Sequence, residues 1–246
     1  MYAPEVGDAV GKVPESATVS LRLGDGSRTC TSLWEVQARQ VVGAVPWRAT
    51  RSARGQTHFP GFFWSATMSR HVIYESRLEL ARLLLADYDR DVVGIAAQPF
   101  LLMEADRRHV PDFLLGRVDG SVVIVNVKPA ERLAQERVAE ALAWAGSVFA
   151  GRGWEHEVWS GADPQVLANV RFLAGYRRAA LVEPMIGAAA VLRTGVVLTI
   201  AAAEAALRDA GVAEPRPLVL GLLWSGRLRT DLQRPVAGDS ELEVLW

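Results

Sequence analysis

Cysteine is almost absent from this chain: Cys30 stands alone among 246 residues, so no intrachain disulfide can form. The four histidines are scattered, which leaves no Cys/His cluster for a structural zinc ion. A lone thiol fits a cytoplasmic protein. Long apolar runs are also missing, because Val196–Leu207 is interrupted by Glu204 and Leu218–Trp224 is too short to span a bilayer. Met1–Val13 carries acids and glycine in place of a basic segment followed by an apolar one, so no secretory leader is expected. Strong charge of either sign is lacking too. The net charge is −1, whereas a protein that grips nucleic acid unaided is usually basic. One local absence stands against that balance: no Asp or Glu occurs between Glu35 and Glu75, while Arg39, Arg48, Arg51, Arg54 and Arg70 do. Trp47, Phe59, Phe62, Phe63 and Trp64 are interleaved with them. Two readings of this segment stand side by side. Arg48, Arg51, Arg54 and Arg70 lie along DNA phosphates, or they serve a half-buried loop and pair with acids elsewhere.

What is present is apolar material, 50% of the residues, enough for a large core without crosslinks. Ala17–Leu23 alternates, and Gly24-Asp25-Gly26 turns it into a hairpin. Ser32-Leu33-Trp34-Glu35 has the form of a capping box opening a helix to about Val42. The acid-free stretch with Pro46 and Pro60-Gly61 reads as irregular. Beyond it the patterns predict a helix from Ser76 to Ala86, a strand over Val92–Met103 bent at Pro99, and a strand over Val110–Leu115. An Asp119-Gly120 turn leads into a buried strand, Val122–Val127. A long helix over Glu131–Phe149, a strand at Glu157–Trp159 and a helix over Pro164–Tyr176 follow. That order describes an α/β unit, a small mixed sheet with helices on its faces. From Arg177 the chain is alanine-rich. Helices at Pro184–Leu192, Thr199–Ala210 and Pro217–Trp224 precede a hairpin of Arg227–Leu232 with Glu241–Leu245, the order of a winged helix. The expected division is therefore 1–45 as an N-terminal hairpin and helix, 46–178 as the α/β domain, and 179–246 as the winged-helix-like domain. Arg227, Arg229 and Arg234 alternate with Asp231, Asp239, Glu241 and Glu243 in the last hairpin, a mixture that favours protein docking over groove reading.

One constellation carries chemistry. Asn126 and Lys128 face the same way on their strand, and the Asp119-Gly120 turn folds that strand beside Asp112. A carboxylate here can hold Mg²⁺, a hard cation that prefers oxygen and keeps several waters. The metal acidifies an attacking water, and an ammonium group adds positive charge where negative charge develops on a phosphate. Glu79, on the preceding helix, would complete the metal shell. Each residue also has a structural role open to it: Lys128 at a strand end, Asp112 in a turn, and Glu79 as the third helical residue of a Ser76-Arg77-Leu78-Glu79 capping box. Glu75 is the competing carboxylate.

The ordered series His71-Val-Ile-Tyr-Glu-Ser-Arg-Leu-Glu79, Val93-Gly-Ile-Ala-Ala-Gln-Pro-Phe100, Pro111-Asp112-Phe113 and Asn126-Val127-Lys128-Pro129 resembles the TnsA-like endonuclease subunit of heteromeric transposases. The likeness extends upstream through Pro46-Trp47-Arg48 and the Gly55–Thr67 loop and covers roughly residues 45–178. It implies a restriction-endonuclease-like fold and cleavage of double-stranded DNA at transposon 5′ ends, dependent on Mg²⁺ with Mn²⁺ as a substitute. An RNase H-like transposase subunit would cut the 3′ ends, and an AAA+ ATPase regulator would be contacted through the C-terminal region. By the same likeness Glu79 and Asp112 match the metal-binding acids, and Lys128 matches the catalytic lysine. Asn126 departs from the pattern, which has Gln there. Being a shorter neutral amide, it suits contact through water or a neighbouring group better than direct coordination. Gln98 lies in the resembling segment, either beside the site or as a cap to the strand before Pro99. A stand-alone nuclease and a non-catalytic scaffold that keeps a nuclease fold are the alternatives.

Overall fold

A computed structural model describes residues 16–48, 59–178, 182–193 and 199–245. It is a mixed α/β structure. The chain opens with the hairpin β1 (Thr18–Arg22) and β2 (Arg28–Ser32), turned at Gly26 with a positive φ of 86°. Helix α1 (Ala38–Gly43) starts five residues later than the Ser32 pattern predicts. The Ser32 hydroxyl is taken by the Trp34 N–H in a local turn, and the cap is formed at Gln37, whose N–H donates to Gln40 Oε1. The supposedly irregular stretch contains a second hairpin, β3 (Gly61–Ser65) with β4 (Arg70–Tyr74). Its sequence hides the strands because Gly61 and three consecutive aromatics mask the alternation. Its tight end is fastened instead from outside: buried Asp87 accepts hydrogen bonds from Ser65 Oγ at 2.5 Å, Ala66 N at 3.0 Å and Thr67 N at 2.9 Å.

Helix α2 (Arg77–Tyr88), capped by Ser76, carries Asp87 near its C-terminus. The predicted strand over Val92–Met103 is two strands in different sheets, β5 (Val92–Ala97) and β6 (Leu101–Glu104). Between them Gln98 has a φ of 45°, and Pro99 follows; a proline cannot donate to a ladder, so the chain leaves one sheet and enters the other. The strand expected over Val110–Leu115 begins only at Phe113, because the chain changes sheets just before it. β7 (Arg107–His109) belongs to the first sheet, Val110-Pro111-Asp112 makes the return, and β8 (Phe113–Arg117) belongs to the second. The Asp119-Gly120 turn then leads into β9 (Val122–Val127), buried at every position. The helix expected over Glu131–Phe149 is broken at Ala134-Gln135 into α3 (Ala130–Leu133) and α4 (Glu136–Gly151). β10 (Glu155–Trp159) and α5 (Pro164–Leu173), with a 3-10 turn to Tyr176, follow.

One sheet has the order β2-β1-β6-β7 and is antiparallel throughout; the other, β10-β9-β8-β5, is mixed, with β10 parallel to β9. The two faces of β9 feed two cores. Val123, Val125 and Val127 join α2, α5 and the C-terminal helices, whereas Val122 and Ile124 join α4 and the β1–β6 sheet. The C-terminal elements are α6 (Val182–Arg193), α7 (Ile200–Asp209), α8 (Pro215–Trp224) and the short ribbon β11 (Leu228–Arg229) with β12 (Glu243–Val244). Leu192, Leu207, Leu220 and Trp224 lie in the same hydrophobic cluster as Leu83, Val170 and Leu173, so the boundary expected near residue 178 runs through a shared core. Likewise the N-terminal hairpin is half of the β2-β1-β6-β7 sheet. Among the described residues no helix is long and apolar enough to cross a membrane.

Candidate active site

The site grows from the point where the chain crosses twice between sheets. The two crossings are tied together: Gln98 N donates to the Asp112 carbonyl at 2.8 Å, and Asp112 N to the Val125 carbonyl at 3.0 Å. Asp112 thus extends the β8–β9 pairing by one residue, and its side chain reaches over the end of β9. There Oδ2 accepts from Val127 N at 2.7 Å and from the Lys128 ammonium at 3.1 Å. Lys128 itself is fixed from the other side, its N–H donating to the Trp159 carbonyl of β10 at 2.9 Å and its Nζ to the Val127 carbonyl at 3.0 Å. The expected convergence of Asp112 and Lys128 is therefore a hydrogen-bonded ion pair at the open end of the mixed sheet. Both side chains are about one-third exposed or less, so screening is weaker here than for a surface pair.

Glu79 fills a variant of the capping role, in which its carboxylate reaches the Glu75 amide and the Ser76 hydroxyl and not the Ser76 N–H. Ser76 Oγ accepts from Glu79 N at 3.1 Å, Glu79 Oε1 accepts from the Ser76 hydroxyl at 3.0 Å, and Oε2 accepts from Glu75 N at 2.7 Å. It also belongs electrostatically to the site. Burial pushes its carboxyl above the ordinary 4.5, the Glu75 amide opposes this, and the negative charge of Asp112 pushes it up further. Capping and site membership coexist because each carboxylate oxygen has a second lone pair.

Asn126 is placed differently from expectation. It lies on the face of β9 shared with Lys128 but is wholly buried, and its Oδ1 is 3.0 Å from His109 Nε2 of β7 and 3.0 Å from His156 Nε2 of β10. Its Nδ2 is buried with no hydrogen-bond partner. Wedged between two ring nitrogens and wholly buried, the amide is engaged inside the fold and not presented to the open sheet end. Burial holds both histidines below their ordinary 6.5; at His109 the Asn126 contact and the Asp112 charge oppose the shift, and at His156 the neighbouring His109 adds to it. Neutral imidazoles are what a buried amide can accommodate without introducing charge. Neither histidine stands out in the sequence. The signal that could have found them is Asn126 itself: a polar residue inside Val-Val-Ile-Val-Asn-Val must find buried partners, because burying an amide unpaired costs about 1–3 kcal/mol.

Gln98 sits beside the site as well as closing its strand. Its Oε1 accepts from Arg48 N at 3.0 Å, and its carbonyl from Trp47 N at 3.0 Å. This places Arg48 near the cluster, its guanidinium 3.8 Å from Glu75. Arg70, by contrast, donates a guanidinium N–H to the Val42 carbonyl. Arg51 and Arg54 lie outside the described residues.

Among the described residues no group of three or more His, Cys, Asp or Glu is arranged to hold a metal ion. Two carboxylates are nevertheless a donor set that suits Mg²⁺, which is commonly held by one or two carboxylates and completes its shell with water and substrate phosphate. The mutual repulsion of Glu79 and Asp112 is what a bound cation would relieve. The chain matches no family model and no curated protein.

Proposed function

We propose that this chain is a metal-dependent DNA endonuclease, the subunit of a transposase that hydrolyses phosphodiester bonds at transposon 5′ ends. The observation that carries the reading is the Lys128–Asp112 pair, 3.1 Å apart at an open sheet end, with the Glu79 carboxyl within electrostatic reach. Glu79 and Asp112 would hold Mg²⁺ or Mn²⁺, and the ion supplies charge neutralisation and an acidified water when bound. The Lys128 ammonium, held by Asp112 and the Val127 carbonyl, sits where it can orient that water and offset charge building on the phosphate. Gln98 and the Val127 amide keep Asp112 in place. Asn126 is a positioning residue behind Lys128.

The mixed β10-β9-β8-β5 sheet with helices on its faces supports a restriction-endonuclease-like assignment, and α6–α8 followed by β11–β12 supports a winged-helix-like C-terminal region. On that ribbon Arg229 pairs with Glu243 at 3.3 Å and Arg234 with Asp231 at 3.7 Å. Arginines neutralised in this way favour docking to a protein, in this reading the RNase H-like transposase or the AAA+ regulator, over reading a DNA groove. The experiment is nicking of supercoiled plasmid with Mn²⁺ or Mg²⁺, wild type against Lys128→Ala, with the partner subunits added where the isolated chain is silent. Equal nicking by the two proteins removes the assignment. A second reading, a scaffold without catalysis, draws on the burial of Asn126 against two histidines, away from the open sheet end. Calorimetry of Mg²⁺ and Mn²⁺, wild type against Asp112→Ala, separates it, since a scaffold shows no heat with either protein.

A further inference from the structure

Beside the candidate site a cleft of about 250 Å³ opens between β7 and α4, lined by Arg107, Arg108, Arg137, Glu140, Ala141 and Trp144. The four residues from α4 recur at intervals of three, one and three, so they form one stripe of the helix. The floor is fixed where the Trp144 indole N–H donates to Glu104 Oε2 of β6 at 2.7 Å. By strand register Arg107 stands opposite Glu104, on the face of β7 that carries His109, and its guanidinium lies 5.8 Å from the Trp144 ring centre. Arg108 points to the other face, but β7 is the outermost strand of its sheet, and the residue borders the cleft at that rim. All three arginines are exposed. Among the described residues, none of their guanidinium groups donates a hydrogen bond or forms an ion pair. The contact of Arg107 with the indole engages its charge and leaves its N–H donors free.

Three like charges drawn to one cleft repel one another, and an anion relieves that repulsion. Glu140 is the one carboxylate in the lining, so the walls keep an excess of positive charge. Guanidinium forks suit phosphate oxygens, which accept paired N–H bonds from them. Position decides which phosphates these are. β7 leads through Val110 and Pro111 into Asp112, and α3 and α4 follow directly on Lys128. Both walls of the cleft thus continue the two segments that supply the ion pair of the candidate site. Arg107 is five residues from Asp112, so its backbone lies at most about 18 Å away. A duplex rises about 3.4 Å per base pair, which puts the cleft within about five base pairs of a phosphate held at the Lys128–Asp112 pair. An acidic peptide would satisfy the charge alone, whereas a nucleic-acid backbone also accounts for a line of cations that runs on to Lys128.

We infer that the β7–α4 cleft holds backbone phosphates of duplex DNA that flank the phosphate being cut. The inference rests on the nuclease reading for the choice of DNA as the polyanion, and the binding is measured without metal so that the two claims can fail separately. The test is fluorescence anisotropy of a labelled duplex in EDTA over a series of salt concentrations. The logarithm of affinity falls with the logarithm of salt by about 0.9 for each phosphate contacted. Arg107→Ala with Arg137→Ala should therefore make that slope shallower by about 1.8, and equally so for two unrelated duplex sequences. Arg107→Lys with Arg137→Lys should keep the wild-type slope, because either cation releases a counterion. An unchanged slope in the alanine double variant overturns the proposal, as does a wild-type chain that binds no duplex at the lowest salt. So does an equal change for Arg193→Ala with Arg208→Ala, which removes the same charge from exposed positions on α6 and α7. Competition by polyglutamate as effective as that by unlabelled duplex likewise overturns it, since the cleft would then take any acidic chain. A shallower slope beside nicking that Lys128→Ala leaves untouched sinks the nuclease and leaves the cleft standing, whereas Lys128-dependent nicking with an unchanged slope does the reverse.

Discussion

Two residues apart on one face of β9, Lys128 and Asn126 live under opposite electrostatics. Lys128, at the open end, is met by a carboxylate and is partly open to solvent. Asn126, one step deeper, is met by two imidazoles that burial keeps neutral. The strand passes from an ionic environment to an uncharged one within a single side-chain repeat, because His109 of β7 and His156 of β10 close on Asn126, whereas Asp112 meets Lys128. The difference teaches where chemistry and where positioning reside: charge that can act on a substrate lies at the rim, and neutral hydrogen bonds behind it fix the rim in place.

The comparison breaks most visibly through the rim. Asp112→Ala should lower metal-dependent plasmid nicking by about a hundredfold or more, the scale of removing one preorganised electrostatic group. Stability in urea should fall by only about 1–2 kcal/mol, from the unpaired Val127 amide. Glu79→Gln sharpens the same point, for glutamine can cap α2; nicking should be lost while the unfolding midpoint stays within about 0.5 kcal/mol of wild type. A large loss of stability with nicking intact would reduce Glu79 to a cap.

Behind the rim the sign reverses, with stability the quantity that moves. Asn126→Leu removes the polar partner of two buried imidazole nitrogens, and a loss of about 1–3 kcal/mol is expected, at about 1–3 kcal/mol for each of the two nitrogens left unpaired less the same for the unpaired Nδ2 that disappears with the amide. An unchanged urea midpoint would mean that the histidines pair elsewhere. Gly146 probes the same cluster from α4. A Cβ there would come 2.7 Å from His156 Nδ1, so Gly146→Ala should cost about 1–3 kcal/mol by overpacking. Combined with His156→Ala the cost should largely vanish, and strict additivity of the two changes would show that the ring is not what Gly146 accommodates.

The smallest effect is a slope. Because both folded-state histidines titrate below 6.5, the unfolded chain binds more protons as pH drops under that value, and stability must fall with falling pH in this window. Glu79 acts in the opposite direction: its raised pKa gives stability at acid pH that is lost as pH rises above 4.5. Measured in the Glu79→Gln background, the decline from pH 7 to pH 5 should be steeper than in wild type, and His109→Gln should flatten it. A slope that ignores His109 would place that ring in solvent.

Legibility followed the range of the interactions. The Ser76 cap, the Gly26 and Gly120 turns, and the buried run of β9 are set by neighbours a few residues apart, and the pattern of residues reveals them. The β3–β4 hairpin escaped detection because Asp87, more than twenty residues away, supplies the hydrogen bonds at its turn. The strand around Pro99 divides, and the one after Pro111 starts late, because the chain passes between two sheets there and periodicity carries no mark of which sheet a residue joins.

By itself the sequence determined that the strands beside Asp112 and Lys128 would lie next to each other, since the Asp119-Gly120 turn folds one back on the other. It also determined that Glu79 would stand in the first turn of its helix. Only the tertiary structure decided that His109 and His156, from strands in different sheets, would close on Asn126, and that Phe62 and Trp64 would be left facing outward. Those outcomes depend on which surfaces are covered when the sheets and helices come together, a property of the assembled layers that no short stretch of chain encodes.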